Sequence, residues 1–213
     1  METNDYRCTK YCKSLTGIND RKDLVVKIVK KDHPKAKDMH NYVSVNGSNH
    51  KDEFMKAYNF KCAYCGVSID IIPAIMFEVD HFINEASFPT KVEAGNIENL
   101  VLACYDCNRK KSSFDVQATS CDDIYPDKEE ITKSYIRDEQ YYIKISPNKI
   151  HNSLVVDFYN QLNLGNELHR LDFLLMSMIG LSRKLSSNEN AVGKLEQAIN
   201  LLHTKRNRMF TQI

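Results

Sequence analysis

Four cysteines at paired spacing carry the most specific chemistry in this sequence: Cys62-Ala-Tyr-Cys65 and Cys104-Tyr-Asp-Cys107. Two intervening residues let both thiolates of a pair turn toward one point about 2.3 Å away, the length of a zinc–sulfur bond. Two such pairs make a tetrahedral four-thiolate set with no position left for water, so the metal they imply is a structural Zn²⁺. In so small a module, zinc stands in for a hydrophobic core. A structural ribbon alone does not need the other polar residues found here. Asp80-His81 and Asn99 lie between the pairs, and Asn108-Arg109-Lys110-Lys111 follows the last cysteine at once.

The remaining cysteines are less telling. Cys8 and Cys12 form a C-x3-C pair with no second pair in view. Two readings stay open for them, a second metal site completed by His33 or His40, and ordinary thiols, which is the default. Cys121 falls in no paired cysteine spacing. Surface or packing roles are the default for His33, His40, His50, His151, His169 and His203.

The elements that must position these groups follow from patterning. The stretch Asp23-Leu-Val-Val-Lys-Ile-Val-Lys30 is apolar and β-branched, and reads as a strand. A helix over about 49–59, capped by Ser48 or Asn49, precedes the first cysteine pair. Residues 75–81 read as a strand ending on Asp80-His81. A polar loop spans 84–98, residues 99–104 form a second strand, and Tyr105 to Ser113 a helix. An acidic connector at 115–130 leads to a small hairpin, 134–137 against 141–145. From about His151, apolar residues recur at helical spacing in three segments. The resulting units are a basic N-terminal segment (1–48), a module with both cysteine pairs (49–115), the connector and hairpin (116–148), and a helical region (149–213).

The chain has 213 residues, 42% hydrophobic and 27% charged, which is the composition of a globular protein. Its net charge of +1 gives no bulk sign of a polyanionic partner, but it conceals a division. Between Arg21 and Asp38, seven cations face three carboxylates, whereas 115–130 is acidic. The first thirty residues lack the shape of a signal peptide, and no apolar stretch reaches the roughly 20 residues needed to span a bilayer. A cytoplasmic protein without a membrane role is expected, and in a reducing compartment paired cysteines point to metal.

The segment from about Asn59 to Phe114 resembles the HNH endonuclease family, the His-Me finger or ββα-metal fold. The residues that carry the likeness are Cys62, Cys65, Asp80, His81, Asn99, Leu100, Cys104, Cys107, Asn108 and Lys111, about a quarter of the chain. The fold class expected is therefore α+β: a ββα-metal core stapled by zinc, with a mixed N-terminal segment and a C-terminal helical bundle. The resemblance implies that His81 is the general base that deprotonates water. It implies that Asp80 and Asn108 hold one divalent cation, and that Asn99 fastens the loop and orients the His81 ring. Arg109, Lys110 and Lys111 are implied to meet substrate phosphates. Oxygen ligands suit Mg²⁺ or Mn²⁺. Many relatives carry His where Asn108 stands, Pro where Asn84 stands, and Gly where Ser112 stands. Strand alternation puts Asp80 and His81 on opposite faces. The resemblance therefore implies that the strand ends or twists at this point.

The function expected is metal-dependent hydrolysis of phosphodiester bonds in nucleic acid, DNA before RNA or tRNA. Stand-alone HNH proteins include bacterial and phage defence effectors, some working with a separate ATPase. No P-loop is present here, so nucleotide control would come from such a partner. The C-terminal stripes also fit a homodimer. The alternative is a non-catalytic zinc-knuckle protein that binds nucleic acid or serves as an adaptor.

Overall fold

The computed structural model describes residues 5–112, 114–116 and 121–209. The expected helix end at Ser113, and the ends of the first and last units, lie outside these residues. The elements in chain order are α1 (Ile18–Asp32), α2 (His40–Val43), α3 (Asn49–Ala57), β1 (Phe77–His81), α4 (Lys91–Ala94), β2 (Leu100–Cys104) and α5 (Tyr105–Lys111). They continue with α6 (Ile131–Ser134), β3 (Tyr135–Arg137), β4 (Ile143–Ile145), α7 (Ser153–Gln161), α8 (Glu167–Lys184) and α9 (Glu189–Met209).

β1 and β2 form an antiparallel pair in which His81 faces Leu100 and Phe77 faces Cys104. All five residues of β2 are buried, so this strand is the floor of the module. α5 begins at once after Cys104, which makes the unit strand–strand–helix, the expected ββα arrangement. β3 and β4 form the expected second hairpin, with Tyr135 opposite Ile145. The three C-terminal helices fall where the apolar spacing puts them. Ser48, Asn152 and Asn166 cap α3, α7 and α8 through their side-chain oxygens.

One expectation fails. Residues 23–30 are not a strand but the centre of α1. Ile18, Lys22, Val25 and Val29 are its buried residues, and their spacing of four, three and four is that of a helix. The β-branched run suggested a strand, but Leu24 and Lys27 point to solvent and only every third or fourth residue is covered. Packing outweighed local propensity.

The flanks share one buried core with the ββα unit. Arg7 is 1% exposed and ties the N-terminal segment to it, donating to the carbonyls of Ala63 at 2.8 Å and Pro126 at 2.7 Å. From the other side, Phe158 of α7 packs edge-on against Tyr64, Phe82 and Phe114. The acidic connector is also anchored. Asp127 takes Lys22 Nζ at 2.5 Å and the Tyr58 hydroxyl at 2.8 Å, and its side chain is 1% exposed. Removing one partner of a buried pair leaves the other charge uncompensated, at a cost of about 3–5 kcal/mol. Asp127→Ala is therefore expected to lower unfolding stability by about that amount in a denaturant titration. A loss below about 1 kcal/mol would show that this pair does not anchor the connector.

Candidate nuclease site and zinc centre

The four cysteines converge as their spacing required. The sulfurs of Cys62, Cys65, Cys104 and Cys107 all lie within 4.8 Å of one another, and all four residues are buried. The first pair sits on a tight turn after α3, held by Cys62 N–H donating to Val67 O at 2.8 Å and Gly66 N–H donating to Cys62 O at 3.0 Å. Gly66 has φ +82°, and a Cβ there would stand 2.2 Å from the Arg7 carbonyl oxygen. Only glycine both takes this backbone conformation and admits the N-terminal segment. The second pair comes from the end of β2 and the first turn of α5. Ala63 N–H donates to Leu102 O at 2.7 Å, which joins the turn to the strand. A buried, all-sulfur set of four fits zinc and leaves no ligand position open.

β1 delivers the remaining chemistry with its alternation intact. Asp80 faces α5, where its carboxylate accepts the Tyr64 hydroxyl at 2.6 Å and lies 3.1 Å from Lys111 Nζ. Burial raises the Asp80 pKa, and Lys111 and Tyr64 oppose that rise. Glu78, two residues earlier, accepts the Asn108 amide and Arg109 Nη2, the latter at 2.7 Å. Asp80 and Asn108 thus stand over the same strand but hold different partners. Asn108 turns its N–H toward Glu78, so its carbonyl oxygen points away from that carboxylate.

His81 faces the other way. Its ring stacks on His40, with centroids 4.4 Å apart and planes inclined by 33°. Burial lowers its pKa, and the neighbouring His40 lowers it further, so the ring is neutral at neutral pH. Asn99 is buried behind it and donates to the carbonyls of Ile83 at 3.0 Å and Ala94 at 2.9 Å. Its own carbonyl accepts Ile83 N–H at 2.9 Å. Asn99 therefore fastens the loop after His81, and its side-chain bonds go to backbone groups, not to the ring.

Of the three basic residues, Arg109 is exposed and leans on Glu78 and the Tyr105 ring, while Lys110 pairs with Asp106 at 2.8 Å. Lys111 differs from the expectation of a phosphate contact. It is 1% exposed, and its ammonium also donates to His81 O at 2.9 Å. It ties β1 to α5 and neutralises Asp80. A cleft of about 330 Å³ opens beside these groups, lined by Ser44, Asn46, Lys51, Glu78, Asn108 and Arg109 among others.

Residues 62–114 match the family model of the HNH endonuclease. This segment is similar to an HNH domain. No curated protein and no solved structure matched the chain. An HNH domain suggests a nuclease-type function and implies contact with nucleic acid. Its oxygen donors, Glu78, Asp80 and Asn108, have the chemistry a hard divalent cation requires. Among the described residues no helix is long and apolar enough to cross a membrane.

Sequence reasoning placed His40 in a second metal site or among the surface and packing histidines, never beside His81, and did not single out Tyr64. His40 lies 41 positions before His81, and no short-range pattern links them. Tyr64 sits inside the C-x2-C loop, where a fully buried aromatic was the available sign. The zinc assignment has a direct test. The purified chain is expected to carry about one zinc, and Cys62→Ser is expected to lose it and unfold at lower denaturant concentration. Unchanged stability after complete chelation would reject a structural metal.

Proposed function

We propose that the chain is a metal-dependent endonuclease that hydrolyses phosphodiester bonds, with His81 as general base. The carrying observation is the His81 ring, half-buried at the end of β1 and packed on His40, within the segment that matches the HNH family model. Water attacking an anionic diester must lose a proton, and a neutral imidazole near its working pH accepts it well. Asn99 holds the loop that follows, which keeps the ring in place. Asp80 and Asn108, with Glu78 beside them, are the residues that hold Mg²⁺ or Mn²⁺. When bound, that cation stabilises negative charge on the phosphate and the leaving oxygen. Arg109 and Lys110 border the cleft and draw the phosphate backbone toward it.

DNA is the preferred substrate in this reading, with RNA, including tRNA, as the second candidate. The biological setting is a cytoplasmic, defence-type effector that works with a protein partner, an ATPase subunit or a second copy.

One observation favours a second reading. Lys111 and Tyr64 already satisfy the Asp80 carboxylate, as in a module that binds nucleic acid or a protein without cutting. The two readings separate in one experiment. With Mg²⁺ or Mn²⁺, the wild type is expected to cleave DNA or RNA, and His81→Ala to slow cleavage by roughly 10²–10⁴ at unchanged thermal stability. Binding without metal-dependent cleavage, equal in both proteins, would establish the non-catalytic reading.

A further inference from the structure

Cys8 and Cys12 lie outside the zinc centre and the nuclease site. Among the described residues the four-cysteine set is the only cluster of three or more His, Cys, Asp or Glu side chains gathered closely enough to hold a metal, and it excludes this pair. The histidines once available to complete such a site are engaged elsewhere. His33 packs on Tyr42 and His50, and His40 on His81. What meets the two sulfurs is Lys61. Its ammonium lies 2.8 Å from Cys12 Sγ and 3.6 Å from Cys8 Sγ, and the residue is 2% exposed. The Thr9 N–H donates to Cys12 Sγ at 3.1 Å, and Lys61 also donates to Lys13 O.

This is an environment for one thiolate and one thiol. A buried ammonium needs anions: Asp5 acts on Lys61 through space, and Cys12, with two donors on its sulfur, meets it directly. The Cys8 hydrogen bond, Lys61 and Thr9 all lower the Cys12 pKa. The same bond to Cys12, burial and Asp5 raise that of Cys8. Cys12 is half-buried and opens on a cleft of about 270 Å³, whose wall includes Tyr11, Asp70, Gly180 and Arg183. Cys8 is buried behind it.

We propose that Cys8 and Cys12 form a peroxide-sensitive dithiol, with Cys12 as the attacking thiolate and Cys8 as the resolving thiol. The Cys12 thiolate attacks one oxygen of a hydroperoxide, the O–O bond breaks, and the leaving oxygen takes a proton. With hydrogen peroxide this gives Cys12–SOH and water. The Cys8 thiol then attacks the sulfenic sulfur, and its proton leaves with the hydroxyl as a second water. Two thiols and one peroxide thus become one disulfide and two waters, a two-electron oxidation of the sulfur pair. Oxidation strips Lys61 of the anion in contact with it, leaving only Asp5 at longer range, one residue before the zinc ligand Cys62. It does so in a turn wedged against α8, where Tyr11 fills the place of a Gly180 side chain and Arg183 pairs with Asp70 at 2.8 Å.

The test uses the full, zinc-loaded, reduced chain, with zinc release followed throughout. After treatment with equimolar hydrogen peroxide, peptide mapping by mass spectrometry is expected to show Cys8 joined to Cys12 before zinc is lost. In Cys8→Ser, dimedone is expected to trap the sulfenic acid on Cys12. At pH 6, iodoacetamide should alkylate Cys12 on the order of tenfold faster than glutathione, the gain that remains once the lower nucleophilicity of a low-pKa thiolate is counted. Lys61→Gln should remove most of that gain. Oxidation of the zinc cysteines while Cys8 and Cys12 stay reduced would overturn the proposal. So would Cys12 alkylation no faster than glutathione in the folded wild type.

Discussion

Everything in this fold is arranged around the convergence of four sulfurs within 4.8 Å. Thiolates that close repel one another unless a cation sits among them, and no disulfide joins any of the four. The turn at 62–66, the end of β2 and the start of α5 are therefore held in one geometry by a metal requirement. That geometry holds the end of β2, and the pairing of β1 with β2, His81 opposite Leu100, fixes where Asp80 and His81 emerge. It also makes the turn a docking platform, because Arg7 caps it through Ala63 while Tyr64 reaches from it to Asp80. One loop of five residues thus joins the four-cysteine cluster, the N-terminal segment and the candidate nuclease site.

The flanks belong to the same solid body. Lys22 crosses from α1 to Asp127, and Phe158 crosses from α7 to Tyr64. Farther out, Asp172 of α8 meets Arg206 of α9 at 2.5 Å in a buried pair. Buried ion pairs of this kind contribute little net stability, but they penalise any alternative docking that would strand a charge. Their placement at each junction therefore specifies how the flanks sit more than it strengthens the fold.

What the sequence made legible was local. The C-x2-C pairs, the two strands with α5, and the second hairpin each rest on residues close together in the chain. Their patterns survive because metal spacing and two-residue alternation are short-range rules. The failures share one cause. Residues 23–30 carry strand-like composition, yet α1 packs against α3 and against residues 97–99 before β2, with Val25 and Val29 on its buried face, and that packing favours the helix. The His40–His81 stack and the Lys61–Cys12 contact join positions 41 and 49 apart. Nothing in a linear pattern records such meetings.

The alternation at the end of β1 has a consequence for the chemistry. Asp80 and His81 emerge on opposite faces, so a phosphodiester served by both must cross the strand end. The two faces are unequal. On one, Asp80 is buried and neutralised by Lys111, whereas Glu78 and Asn108 stand beside open space. On the other, His81 is half-exposed against His40. In the proposed nuclease, a cation held by Asp80, Asn108 and Glu78 would compete with Lys111 for the Asp80 carboxylate, and Lys111 has little room to withdraw because it also holds His81 O. Glu78 would likewise have to share oxygens that Asn108 and Arg109 already occupy. Loading of such a site would therefore be coupled to the tie between β1 and α5.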